Sequence, residues 1–236
     1  VRRRSRRAIR VLMDRRKTEG QRLTLSTVVK FYVPLALSSF MAMGVQPMVT
    51  FFMGQSRMAL ESLAVLPVLN GLTFLFRSLG LSFQDASIAL LGDHMEQYRP
   101  LRNVACTLAI VTSVCLAVIA YSPLSFIWFY DVSGLSIGLT EFAIPPLKIL
   151  VLLPALSVLM SFQRALLVNA RTTKVITSAT AIEVTGIAMV LWIAIHYSNT
   201  IGVMAAVTAI VLGRICATIL LMPACWRATR DTPVLH

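Results

Sequence analysis

Two long apolar segments joined by a very short turn, each interrupted by one charge near its middle, constrain this chain more than any other feature. Residues 175–195 (VITSATAIEVTGIAMVLWIAI) carry only Glu183, and residues 201–222 (IGVMAAVTAIVLGRICATILLM) carry only Arg214. At about 1.5 Å of rise per residue, each segment is long enough to cross the ~30 Å hydrocarbon core of a bilayer as a helix. With the turn at His196 to Thr200, Glu183 lies fifteen residues before Ser198 and Arg214 sixteen after it, so the two charges are expected at nearly equal depth. An ionised side chain at mid-bilayer costs roughly 2.5–3.5 kcal/mol even on insertion scales, and such residues face a partner or a wet cavity. The spacing predicts a transmembrane hairpin in which Glu183 and Arg214 face each other and help form a polar inner surface.

The second helix of that hairpin repeats small residues at three- and four-residue spacing: Gly202, Ala206, Ala209, Gly213 and Ala217. Such a stripe lets helix backbones approach closely in lipid and is read as bundle packing. The rest of the chain follows the same pattern. Hydrophobic residues make up 57% of it, above the roughly 45–50% of soluble domains, which marks a polytopic all-α membrane protein. Ten of the 22 Lys and Arg residues behind the net charge of +12 lie in residues 1–27, ahead of the first apolar segment. That arm is read as contacting anionic membrane lipid. It lacks interleaved aromatics or a known reader module, so nucleic acid is not expected as a partner. A short surface helix around Ile9 to Met13 and a solvated linker are equal readings of it. The first apolar stretch is too long for a signal-peptide core and is expected to stay in the membrane. Because the sequence opens on Val1 rather than Met, its length is not taken as the functional unit.

Six spans are expected, at about 28–53, 59–79, 101–121, 143–165, 174–196 and 200–223. They form a bundle over 28–226, between the arm (1–27) and a tail (227–236). Gln46 precedes Pro47 in the first span, where a proline kink would place a polar amide in a substrate cavity or be satisfied by neighbouring helices. Arg77 is expected near the far interface of the second span, after which the helix projects past the membrane through Gln84 and Asp85. The loop 92–100 holds His94, read as solvated rather than metal-bound, since no second ligand lies at useful spacing. Aromatic residues from Phe126 to Tyr130 suggest the headgroup region. Pro145 and Pro146 suit a first helical turn of span four. Lys148 follows them and either snorkels to the interface or faces an internal cavity. Cys106, Cys115, Cys216 and Cys225 have no paired spacing and are read as small packing residues.

An even number of spans puts both ends on one side. Arg99, Arg102, Arg164, Arg171, Lys174, Arg227, Arg230 and the arm fall there, against Arg57, Asp131 and Glu141 opposite. The positive-inside rule then makes both termini cytoplasmic in a cytoplasmic (inner) membrane.

The stretches FYVPLALSSFMAMGVQPMVTFFMG and ALESLAVLPVLNGL resemble the opening helices of a repeat in the superfamily of multidrug and toxin extrusion (MATE) proteins, oligosaccharide flippases and progressive ankylosis proteins. The stretch LTEFAIPPLKILVLLPALSVLMSFQRALLVNARTT looks most like the fourth helix of the progressive ankylosis branch, where Lys148 matches a basic position. The resemblance covers about residues 30–225. It implies a six-helix lobe that pairs with a second lobe, a homodimer mate or a separate chain, and rocks around a central cavity. Many cation-coupled members carry a carboxylate in a lobe's first helix, whereas residues 28–54 contain no Asp or Glu, so proton or sodium coupling there is not supported. The progressive ankylosis likeness implies an anion as cargo.

These observations give a half-transporter lobe that exports a small solute, with an anion as the candidate class. Gln46, Arg77, Lys148, Glu183 and Arg214 are the candidates for the substrate path. A lipid-linked sugar flippase and a non-transporting scaffold or assembly subunit are the alternatives. No catalytic residues, metal ligands or cofactor are assigned: no acidic pair sits on separate spans for proteolysis, no Ser and His combine at membrane depth, and His196 lies at a helix end.

Overall fold

A computed structural model describes residues 25–91, 98–170, 172–197 and 200–231. Residues 1–24 of the basic arm, the loop with His94 and Glu96, Arg171, Ser198 and the last residues of the tail lie outside the described residues. The chain is a helical bundle: α1 (Leu25–Gly54), α2 (Ala59–Leu90), α3 (Tyr98–Tyr121), α4 (Ile137–Leu150), α5 (Leu153–Asn169), α6 (Thr173–Tyr197) and α7 (Gly202–Asp231). Among the described residues six spans are long and apolar enough to cross a membrane, α4 and α5 together making the fourth.

Prolines shape that fourth span differently from the expectation. The helix opens at Ile137 rather than at the proline pair, because the Ser136 hydroxyl accepts the Leu139 amide and caps it. Pro145 and Pro146 therefore lie inside α4, where their missing N–H groups leave the Glu141 and Phe142 carbonyls without helical donors. The span then breaks at Val151 and Leu152, since Pro154 at the start of α5 cannot bond back to Leu150. The freed amide of Ala155 is taken by Ser113 Oγ of α3 at 3.2 Å, so the break is satisfied within the bundle.

Helix α5 is the axis of the bundle. It packs against α2, α3 and α7, while α6 pairs with α7 along its length and carries α1 on its other side. Glycines set two of these approaches. A Cβ on Gly80 would stand 3.2 Å from the Val158 backbone nitrogen, and one on Gly213 would stand 2.7 Å from Ile187 Cγ1 and 3.2 Å from the Glu183 carbonyl oxygen. The small-residue stripe of α7 is buried throughout, which is the packing role its spacing implies. At one end of the bundle the turn after α1 is hooked to the start of α7. Gly202 N–H donates to the Arg57 carbonyl at 3.2 Å, and Val203 N–H donates to the buried Ser62 hydroxyl at 3.0 Å.

Aromatic residues mark both ends, as in a membrane girdle. Tyr98 with Arg102 and Trp226 with Arg230 form cation–π pairs at one, whereas Trp192 with His196 and Phe126 with Tyr130 stack at the other. The cysteines correct their reading: only Cys225 is buried, whereas Cys106, Cys115 and Cys216 face outward from their helices.

Two apolar cores fill the interior. One includes Met53, Leu69, Leu72, Leu116, Leu156, Ile187 and Val207, and the other includes Phe83, Leu101, Val158, Leu166, Ala179 and Leu221. They change over between Leu72 and Phe83 on α2, at Leu156 to Val158 on α5, between Ala179 and Ile187 on α6 and between Val211 and Ala217 on α7. Those intervals hold Thr73 and Arg77 on α2, Ser157 on α5, Thr180 and Glu183 on α6 and Arg214 on α7.

Candidate functional site

Glu183 is the buried carboxylate of the bundle interior, with 6% of its surface accessible. Arg214 reaches it across the hairpin, Nε to Oε1, at 3.1 Å, with side-chain accessibilities of 18% for Arg214 and 8% for Glu183. The guanidinium N–H is not aligned on the carboxylate, so the contact is an ion pair rather than a formed hydrogen bond. Equal depth on two antiparallel helices and the close approach at Gly213 bring the two charges together. Removing both from water is offset only if the remaining groups are well paired.

Two further arginines join them. Arg77 on α2 donates through Nε to Ser157 Oγ of α5 at 3.2 Å, and Arg164 on α5 donates through Nη2 to Thr180 Oγ1 of α6 at 3.2 Å. Arg214 also points Nη1 at the Met160 sulfur, 3.0 Å away. Arg77 and Arg164 each interact electrostatically with both Arg214 and Glu183. The cluster thus holds three cations and one anion, a formal charge of +2; Arg77, Glu183 and Arg214 lie where the two apolar cores meet, and Arg164 reaches them from within the second core.

The backbone explains the convergence. Arg77, Leu81 and Gln84 stand at i, i+4 and i+7 on α2, and Ser157, Ser161 and Arg164 stand at i, i+4 and i+7 on α5. Each set lies on one helix face, and the two faces meet. Between them and Arg214 lies a cavity of about 30 Å³, lined by these six residues with Met160 and Arg214.

The structure therefore brings together Arg77, Glu183 and Arg214 of the sequence candidates and leaves two apart. Arg77 turns inward to α5 instead of reaching an interface. Lys148 is exposed and places Nζ 5.5 Å from the ring centroid of Tyr121, the last residue of α3. Gln46 is exposed on α1 and does not line the cavity; its backbone carbonyl accepts the Thr50 hydroxyl at 3.0 Å. Arg164 is the residue the sequence reading missed, because it was counted among the charges at the end of its span. Its helix runs on through Ala165, Leu166, Leu167 and Val168, and that apolar turn is the signal that Arg164 stands inside its span rather than at its end.

Fold and site together define a class: an all-α multi-pass membrane protein with six membrane-length spans and a cationic cluster in its interior. No family model matches the sequence, and no curated protein matches it. Solved structures do. A transporter of the MOP superfamily from Pyrococcus furiosus, described as having a binding pocket of reverse polarity that suggests a different function, superimposes with a TM-score of 0.63 at 19% identity. The match covers 88% of this chain and 46% of that one. An outward-facing multidrug resistance transporter of the MATE family gives the same TM-score and identity over 87% of this chain and 45% of that one. The chain spans about half the length of the solved transporters it matches.

Proposed function

We propose that this chain is a lobe of an alternating-access exporter that, paired with a second lobe, moves a small anionic solute across the cytoplasmic membrane. The observation that carries the reading is the partly buried cluster of Arg77, Arg164 and Arg214 against the carboxylate of Glu183, the one buried carboxylate among the described residues. A low-dielectric interior with excess positive charge attracts anions and repels cations, and a basic cluster held at membrane depth marks a solute or ion pathway. The fold supplies the support for transport, and the length ratio to its structural neighbours supports a two-lobe assembly. Affinity to the progressive ankylosis type is part of the same proposal, as are cytoplasmic termini. The exposed arginines and lysines Arg99, Arg102, Lys174, Arg227 and Arg230 lie at the end taken as cytoplasmic, with Arg164 now removed from that count.

The test is reconstitution of the full chain into liposomes after cross-linking has established whether it forms a two-lobe assembly. Efflux of citrate, pyrophosphate and a nucleotide is then compared with efflux of a cationic dye. Saturable anion efflux that falls at least tenfold in Arg77→Gln is expected. Dye efflux without anion efflux from the same assembly would overturn the anionic assignment. A stable monomer that moves neither class would turn the reading to a scaffold subunit.

A further inference from the structure

The cavity is a small, partly open pocket, and the space between its three arginines is far less than the solutes just named would fill. Its volume of about 30 Å³ holds roughly two water-sized particles, since one needs about 10–15 Å³ on this measure. Every charged side chain that lines it is a cation: Arg77, Arg164 and Arg214. Glu183 pairs with Arg214 from α6 and is not part of the lining.

The cluster is short of acceptors. Each guanidinium carries five N–H donors, yet Ser157, Thr180 and the Met160 sulfur take one apiece, and the buried Nε of Arg164 has no partner among the described residues. A buried donor without an acceptor and a buried charge without a counter-charge are both costly. Glu183 offsets one of the three cations, which leaves two without a counter-charge, and a cavity bounded by all three, with the hydroxyls of Ser157 and Ser161 on its wall, has the charge and donor set to hold an anion.

We propose that this cavity binds one small inorganic anion of halide size, held between Arg77 of α2, Arg164 of α5 and Arg214 of α7. The ion lowers the formal charge of the cluster from +2 to +1 and ties three helices together. It is a resident ion of the single lobe, distinct from the larger solute that the assembled transporter would carry. The inference uses the same arginines as the proposed function but does not require transport.

Chloride and bromide serve as probes on the full chain, purified in a neutral detergent so that phospholipid phosphate cannot supply the anion. Thermal unfolding is followed as chloride, bromide or gluconate replaces one another at constant ionic strength, and ³⁵Cl line width reports binding directly. Chloride and bromide should raise the melting temperature saturably, gluconate should not, and the protein should broaden the ³⁵Cl line. Arg164→Gln should weaken the half-saturating chloride concentration at least tenfold. Ser161→Val keeps every charge and fills the cavity, so it should abolish the broadening even if Arg164→Gln fails to fold. Equal melting in chloride and gluconate with no excess line width would overturn the inference, as would a halide effect that persists unchanged in Ser161→Val. Organic-anion efflux without halide binding would sink this inference alone, and halide binding without efflux would sink the transport reading alone.

Discussion

The Glu183 and Arg214 pair offers the sharpest test, because the surrounding arginines make its two halves unequal. Neutralising Glu183 as Glu183→Gln leaves Arg77, Arg164 and Arg214 together with no carboxylate, a formal charge of +3 in place of +2. Neutralising Arg214 as Arg214→Gln leaves Glu183 in the field of Arg77 and Arg164 at a formal charge of +1. Stranding one member of a buried pair costs about 3–5 kcal/mol, and Glu183→Gln should lie in that range. Arg214→Gln leaves a carboxylate that still has two cations nearby, so it should cost about 1–3 kcal/mol, the range of an unmade buried hydrogen bond. The double variant restores the charge of +2 and should be less destabilised than Glu183→Gln alone, with a coupling energy above about 0.5 kcal/mol. Reversible unfolding in mixed micelles, measured for the four proteins at one pH and salt concentration, gives the cycle. Additive losses would show that the two charges do not interact. A larger loss in Arg214→Gln than in Glu183→Gln would refute the view that Arg77 and Arg164 belong to the same electrostatic unit.

Other perturbations follow from the packing. Gly213→Leu should force α7 away from Ile187 and the Glu183 carbonyl, costing about 1–3 kcal/mol as overpacking and reducing the coupling in the cycle above. If the coupling is unchanged in that background, the close approach does not position the pair. Ser62→Ala removes the acceptor of the buried Val203 amide and should cost about 1–3 kcal/mol, with faster amide exchange at the start of α7 by mass spectrometry. Unchanged exchange there would mean that the hook between the α1–α2 turn and α7 is not stabilising. For topology, single cysteines at Ser133 and Ser198 in a cysteine-free background should label with an impermeant reagent from outside intact cells, and one at Glu96 should not; outside labelling at 96 would reverse the orientation.

Several features were fixed by residue order alone, because a bilayer imposes length and depth on any chain that crosses it. The apolar runs set six crossings, and counting from the turn at Ser198 put Glu183 and Arg214 at one level. The glycine and alanine spacing of α7 announced close packing, since only small side chains let backbones meet. Prolines were visible but not their consequence: Ser136 capped α4 ahead of the proline pair, and Pro154 divided the span because Ser113 was available to take the freed amide of Ala155.

What sequence could not supply was rotation about each helix axis. A membrane helix is apolar towards lipid and apolar towards the core, so its pattern carries little record of which side faces in. Arg77 and Arg164 both sat in stretches that looked like the margins of spans, and only the docking of α2, α5 and α6 turned them inward to Ser157 and Thr180. The same docking left Lys148 over Tyr121 and Gln46 exposed on α1, away from the arginine cavity, although their positions along the chain resembled those of cavity residues. Depth is a one-dimensional property that residue counting determines. The cationic cluster is a three-dimensional one, decided by where glycines such as Gly80 and Gly213 allow the helices to touch.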